Sequence, residues 1–437
     1  MVIKRILKRL PVVLFISVLM SFSLSDKVSS QTQPNSIVER TRELMKTVSE
    51  LRGLPFLNEL PVNLVSSEKI TEVIRLELDE EIPEDLNRTF SDLYVMMGLM
   101  KHGRDLRSAY EKMIGEQAAG LYDPQNKEFY VVDIDTGKMV DDMLSDFGPL
   151  GGLVQGFLGG MDFDMTDMVI VHELTHALDD QHFDFNATLE KLRDSDSDDK
   201  TLAYQSLLEG NATRVTNDYM AKILGVDYSM MSGFTDMYSS MAEGMMDYDP
   251  MLEKLMIAPY MKGEQFVRYV YKNKGQDGLD NAFIDIPESM EQVLHPDLYY
   301  PNRDNPSKVG EPDLSTVLKD WSKEGVDTMG EFIIKVMFEL LTMKTPYAED
   351  IARGWDGDRV TLWRSPKGDL AFCWVSVWDT NKDAEDFYNA YRDLMKIKYP
   401  EGVWKDTSER YSLYTGESLA SILDHYGQIV VIAEGVP

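Results

Sequence analysis

The sequence predicts an α+β chain: mostly helical over residues 31–310, with a small β-hairpin, then a smaller α+β unit over 311–437. Three observations carry this reading. Much of the stretch between residues 31 and 300 repeats apolar residues at three- and four-residue spacing, the period of a buried helix face. One segment before residue 134 holds two β-type runs around turn residues. From about residue 308 the pattern shifts to apolar β-runs broken by turns. With 437 residues, 43% hydrophobic and 10% aromatic, the chain has material for two domains or one large domain with additions.

Residues 1–30 read as an export signal. Lys4 to Arg9 form a basic start, Pro11 to Phe22 a short apolar run, and Ser23-Leu24-Ser25 or Val28-Ser29-Ser30 a small-residue cleavage region. The run is short for a membrane span. Cleavage is therefore expected over retention as an anchor, leaving an exported chain, periplasmic or extracellular, with no stable span. Cys373, the single cysteine, lies in LAFCWVSVW, which rules out an intramolecular disulfide and a cysteine-rich zinc site. A net charge of −31 repels phosphates and anionic headgroups, so nucleic acid is not an expected partner. The charge sets no oligomeric state.

Taken in order, Ile37, Thr41, Leu44, Val48 and Leu51 predict a helix that ends at Gly53-Leu54-Pro55. PVNLVS (61–66) predicts a strand. Helices are expected over about 67–79 and 84–102, the second broken by Gly103 with His102 as an exposed cap. Ala119–Tyr122 and Glu128–Val132, joined by Asp123-Pro124-Gln125-Asn126-Lys127, predict a hairpin. A strand just ahead of a metal helix can pair with an extended peptide or simply pack, and both readings stand. The Gly-rich stretch 134–165 lacks nucleotide-loop spacing and reads as a lid or a loosely helical insertion.

Thr166 to Phe183, TDMVIVHELTHALDDQHF, is the stretch that carries chemistry. Thr166 is the expected N-cap and Asp167 suits the positive helix end. Val169, Ile170, Leu174, Ala177 and Leu178 form a wide apolar stripe, so the helix should be buried. His172 and His176, four residues apart, share one face. Glu173 sits beside the first. Two neutral ligands and an adjacent base are what hydrolysis by a metal-activated water requires.

The next expected helix, about Thr201–Leu224, places Glu209 among leucines, where a lone carboxylate needs a partner. Gly210 and Ala212 should let this helix approach the first. Two residues compete as third ligand. Glu209 fits a two-His-one-Glu (gluzincin) plan. His182 has the spacing of His-Glu-x-x-His-x-x-Gly-x-x-His, but Asp179 replaces the Gly that turns the chain away. Glu209 is preferred and His182 stays as the alternative.

Asp194, Asp196 and Asp198 alternate like calcium ligands, yet the loop lacks the turn Gly and has Gln205 in place of the closing Glu. Calcium is accordingly the weaker metal expectation. Methionines crowd 228–261 and read as pliable packing. Ile257–Tyr271 predicts a helix begun near Pro259, with Tyr260 on it, and His295 falls in an irregular stretch; either side chain is a candidate to stabilise an oxyanion. In the last unit, Leu314–Asp320, Met329–Thr342 and Asp383–Lys398 read as helices. Strands are expected on both sides of Ser365-Pro366-Lys367-Gly368 and near 410–414 and 428–433, and Asp356 and Asp358 in GWDGD read as turn residues.

HELTHALDDQHF, LLEGNAT, GLYDPQNKEFYVVD and EQVLHPDLY together resemble a family of exported, largely uncharacterised bacterial proteins similar to gluzincin-type zinc metallopeptidases. The resemblance spans most of residues 50–435, including GWDGDR and WDT. It implies a zincin-like catalytic domain over 31–310, one catalytic Zn²⁺ on His172, His176 and Glu209, and Glu173 as base. A peptide or protein is the expected substrate. A non-peptidase zinc amidohydrolase or esterase, or a non-catalytic zinc-containing binding protein, are the alternatives.

Overall fold

The computed structural model describes residues 16–18, 34–115, 118–132, 165–193, 197–229 and 249–436, apart from 407, 409 and 417–419. The proposed export signal, the Gly-rich segment up to residue 164, Asp194 and Asp196, and most of the Met-rich stretch lie outside the described residues. From the first of these only β1 (Ile16–Val18) is described.

The fold is α+β with two sheets. Helix α1 (Pro34–Arg52) follows the predicted apolar spacing and stops where Gly53 turns the chain at φ +78°. β2 (Val62–Val65) and α2 (Ser67–Glu81) follow. α3 (Glu84–Met97) ends at Gly98, φ +83°, five residues before the predicted break at Gly103, so exposed His102 lies in a turn and not at the helix end. α4 (Leu106–Gly115) leads to the hairpin β3 (Ala118–Asp123) and β4 (Glu128–Val132). In the turn the Asp123 carboxylate accepts the amides of Gln125 and Asn126, which fixes the register Tyr122 opposite Phe129. The four-stranded sheet runs β1-β3-β4-β2, with β2 parallel to β4. No described helix is long and apolar enough to cross a membrane.

Helix α5 (Met165–Phe183) starts one residue before Thr166, so Thr166 lies in the first turn and is not the cap. α6 (Phe185–Arg193) follows, then α7 (Asp198–Leu224), capped by Ser197 accepting from the Lys200 amide and closed by Gly225 at φ +64°. α8 (Pro250–Ala282) begins seven residues before the predicted Ile257, because Asp249 caps it and Pro250 suits its first turn. Gly210 of α7 lies on Gly263 of α8: a Cβ on Gly210 would stand 2.1 Å from the Gly263 carbonyl carbon. The small residue expected to admit the metal helix instead admits α8.

α9 (Met290–Leu294) and a 3₁₀ turn at Pro296–Leu298 lead into the last third. Residues 314–320 form turns, not the predicted helix. β5 (Ser322–Asp327), α10 (Gly330–Thr342), α11 (Thr345–Ala352), β6 (Trp355–Arg364), β7 (Leu370–Trp378), α12 (Asn381–Lys398), β8 (Val403–Asp406), β9 (Tyr411–Thr415), β10 (Ala420–Tyr426) and β11 (Ile429–Val436) complete the chain. They form an antiparallel sheet ordered β5-β6-β7-β11-β10-β9-β8. Phe387 of α12 covers it, stacked on Trp378 at 4.5 Å and edge-on to Trp374 at 5.5 Å. Cys373 is a buried free thiol in β7.

Candidate metal centre

The centre lies where α5 and α7 cross beneath β3. α5 is buried along most of its length, its polar residues included. Such a helix needs its polar atoms paired internally, and each pairing fixes the helix in place. Asp167 accepts Arg40 of α1 at 2.9 Å and the Tyr219 hydroxyl of α7 at 2.6 Å. Asp180 accepts the Tyr122 hydroxyl at 2.6 Å, Lys127 at 2.5 Å and the Phe185 amide at 2.8 Å, tying the hairpin to the helix. Asp179 accepts Arg52 at 2.7 Å and Asn211 at 2.5 Å. Arg52, fully buried, also reaches Asp280 at 2.6 Å and lies 5.4 Å from the Phe283 ring.

On the face so oriented, His172 Nε2 stands 3.0 Å from Glu209 Oε2 and 3.1 Å from His176 Nε2, and His176 Nε2 stands 3.3 Å from Glu209 Oε2. Donors about 2.0–2.1 Å from one tetrahedral ion lie about 3.3 Å from each other. The three atoms therefore sit close to the triangle that a single ion requires. All three residues are buried, and among the described residues this is the only group of three such ligand atoms within 4.8 Å of one another. Two imidazoles and a carboxylate suit a borderline divalent ion such as zinc. Burial opposes charge on Glu209, but the charge and hydrogen bonds of His176 and His172 hold its carboxyl at about 2. Burial likewise opposes a proton on His176, and Glu209, Glu173 and Asp179 outweigh it, leaving His176 raised. The pocket thus favours a cation.

Glu173 points toward β3, and its Oε2 accepts the Tyr122 backbone amide at 2.6 Å. Gly120 makes this approach possible, since a Cβ there would meet Val169 Cγ1 at 2.8 Å and Glu173 Cγ at 3.4 Å. Tyr260 of α8 stacks beside His172 with centroids 5.8 Å apart, and its hydroxyl hydrogen-bonds Glu209. Burial, together with Glu209 and Glu173, pushes its phenol well above the usual range, so it remains a donor.

His182 is not part of this group. α5 continues as helix through Asp179 to Phe183, and His182 Nε2 pairs with the Pro55 carbonyl at 2.8 Å. His295 pairs with Glu331 at 3.0 Å at the start of α10, and no described contact joins it to the histidine pair. Asp358 is not a turn residue: it is buried in β6, where it accepts the Met329 and Gly330 amides and the Trp355 indole N–H. Asp356 accepts the Ser307 hydroxyl at 2.7 Å.

Sequence reasoning missed Arg52, Asp179, Asn211 and the Tyr122 amide. Arg52 within LRGLP gave a weak signal, a charge between apolar residues at the helix end.

A family model described as "Domain of unknown function (DUF8575)" matches residues 315–437. That span holds the seven-stranded sheet, β5 to β11, and leaves the centre outside it. No curated protein and no solved structure matches the chain.

Proposed function

We propose that this chain is an exported zinc metallopeptidase of gluzincin-like plan, with His172, His176 and Glu209 holding the ion and Glu173 as general base. The observation that carries the reading is the near-equilateral donor triangle, with Glu173 adjacent in sequence and close enough for its charge to act on His176. Zinc in this donor set supplies Lewis acidity and charge stabilisation. Everything else falls to the chain. Glu173, oriented by the Tyr122 amide, takes a proton from the attacking water and delivers it to the leaving amine. Tyr260 offers its hydroxyl to the developing oxyanion. A structural site has no use for the base.

β3 supports a peptide as substrate. It passes directly over Glu173, and its outer side pairs with β1, inside the proposed export signal. Removal of that signal frees the edge of β3 to pair with an extended chain.

The test is Glu173→Gln. The variant should keep the metal content of the wild type by elemental analysis and lose casein cleavage by about 10²- to 10⁴-fold. Cleavage at the wild-type rate would sink the mechanism. Wild-type protein that hydrolyses small amides or esters and no peptide would move the reading to an amidohydrolase or esterase.

A further inference from the structure

We infer that the chain carries a second cation site, for a hard divalent ion such as calcium, at the junction where α7, α9 and α10 meet β5 and β6. Five carboxylates are buried there: Asp199 at the start of α7, Glu291 on α9, Asp327 at the end of β5, Glu331 on α10 and Asp358 on β6. Three use one oxygen only. Asp199 Oδ2 accepts the Met290 amide, Asp327 Oδ1 the Asp198 and Thr328 amides, and Glu331 Oε1 faces His295. The other oxygens, Asp199 Oδ1, Asp327 Oδ2 and Glu331 Oε2, are sealed from solvent and no donor reaches them. Asp199 Oδ1 is pressed against the backbone of Gly330, where a Cβ would stand 1.8 Å away. Asp198 adds a side-chain hydrogen bond to Asp327, carboxyl to carboxyl.

His295 is engaged with Glu331. Lys200, beside Asp199, is taken by Glu288 at 2.5 Å. Arg353 is felt at His295, on the outer flank. Arg359, beside Asp358 in β6, donates to the Thr328 hydroxyl at 2.9 Å, and Asp304 and Asp379 add negative charge around Glu291. Burial and these mutual repulsions push Glu291 up to about 9 and Asp327 to about 6, and push Asp199 well above the usual carboxylate range. Uncompensated buried anions are costly, and two remedies exist: shared protons or a cation.

All candidate ligands are oxygens, which selects a hard cation over zinc. The junction oxygens are spread more widely than the histidine centre, the only group of three described ligand atoms within 4.8 Å. An ion here therefore has to draw the carboxylates together and take water or backbone oxygens as well, as six- to eight-coordinate calcium does. Doing so would clamp the start of α7, which carries Glu209, to the C-terminal sheet.

Terbium luminescence and thermal unfolding test this on the full chain. Trp355, hydrogen-bonded to Asp358 at 2.7 Å, is the antenna for a terbium ion at the junction. Tryptophan-excited terbium emission, displaced by calcium, should appear in the wild type. It should persist in His172→Ala and vanish in Asp199→Asn combined with Glu331→Gln. At pH 8, 1 mM calcium should raise the wild-type Tm by about 4 °C or more and leave the double variant unmoved. Because the amides remove repelling charge, the double variant should melt no lower than the calcium-free wild type, which separates lost binding from lost folding. Two results would overturn the site: no calcium response in the wild type at pH 8, or an equal response in both proteins. Either would assign the junction to shared protons, since raised carboxyls stabilise the fold on acidification with or without an ion.

Discussion

Glu209 and His182 show how a single residue's placement decides which side chain joins the histidine pair. Both follow His176, and both have a ligand's side chain. On an unbroken helix, six residues carry a side chain about 240° around the axis from where it began. Asp179 does not turn the chain, so His182 leaves the histidine face and finds the Pro55 carbonyl. Glu209 arrives from a second helix and closes the triangle at 3.0 and 3.3 Å. Glu209→Ala should therefore abolish stoichiometric metal binding at neutral pH, whereas His182→Ala should retain it, as measured by elemental analysis after gel filtration. The opposite pattern would transfer the ligand role to His182. His172, Glu173 and His176 were legible in the sequence because helix periodicity alone sets their relation. Asp179 was not. Its role depends on Arg52 and Asn211, 127 and 32 residues away, which no local pattern reveals.

At the scale of elements, helices with strong apolar repeats, such as α1, α7 and α12, were readable within a few residues. β5 (SKEGVD) and β10 (ASILDHY) were missed, because their own residues alternate weakly and neighbouring strands define them. Contacts between helices were less readable still. Gly210 was visible as a gap in the side-chain pattern, yet its partner, Gly263 of α8, was not. The close crossing yields a definite expectation. Gly210→Ala gains about 1 kcal/mol of helix propensity, but it forces a Cβ to 2.1 Å from the backbone of α8. Relieving that overlap requires moving one helix against the other, and overpacking of this kind costs about 1–3 kcal/mol or more. Overpacking wins, so the variant should be less stable in urea. Since Glu209 is the adjacent residue, its metal affinity should fall as well. An unchanged midpoint would show that the crossing is looser than the backbone implies.

Across the whole molecule, the boundary read from the sequence near residue 310 separates two patterns of secondary structure but not two cores. One apolar cluster runs from Leu86 and Phe90 through Leu207 and Phe266 to Phe332, Trp374, Tyr391 and Ile432. Polar contacts cross the same line. Arg364 of β6 bonds Asp92 of α3 at 2.6 Å, and Lys254 of α8 bonds Glu339 of α10 at 3.1 Å. Tryptophans 355, 374 and 378 are buried within the cluster. Units that share a core cannot lose one side without exposing the other to water, at about 25 cal/mol per Å² of apolar surface. The full chain should therefore unfold in a single calorimetric transition, with tryptophan fluorescence and far-ultraviolet circular dichroism following the same curve. A chain cut after residue 310 should be insoluble or bind apolar dyes, because α8 and α9 pack on α10 and the cluster they share with it would be opened to water. Two separated transitions, together with a soluble and dye-silent fragment, would show that the shared core is a contact between independently stable domains.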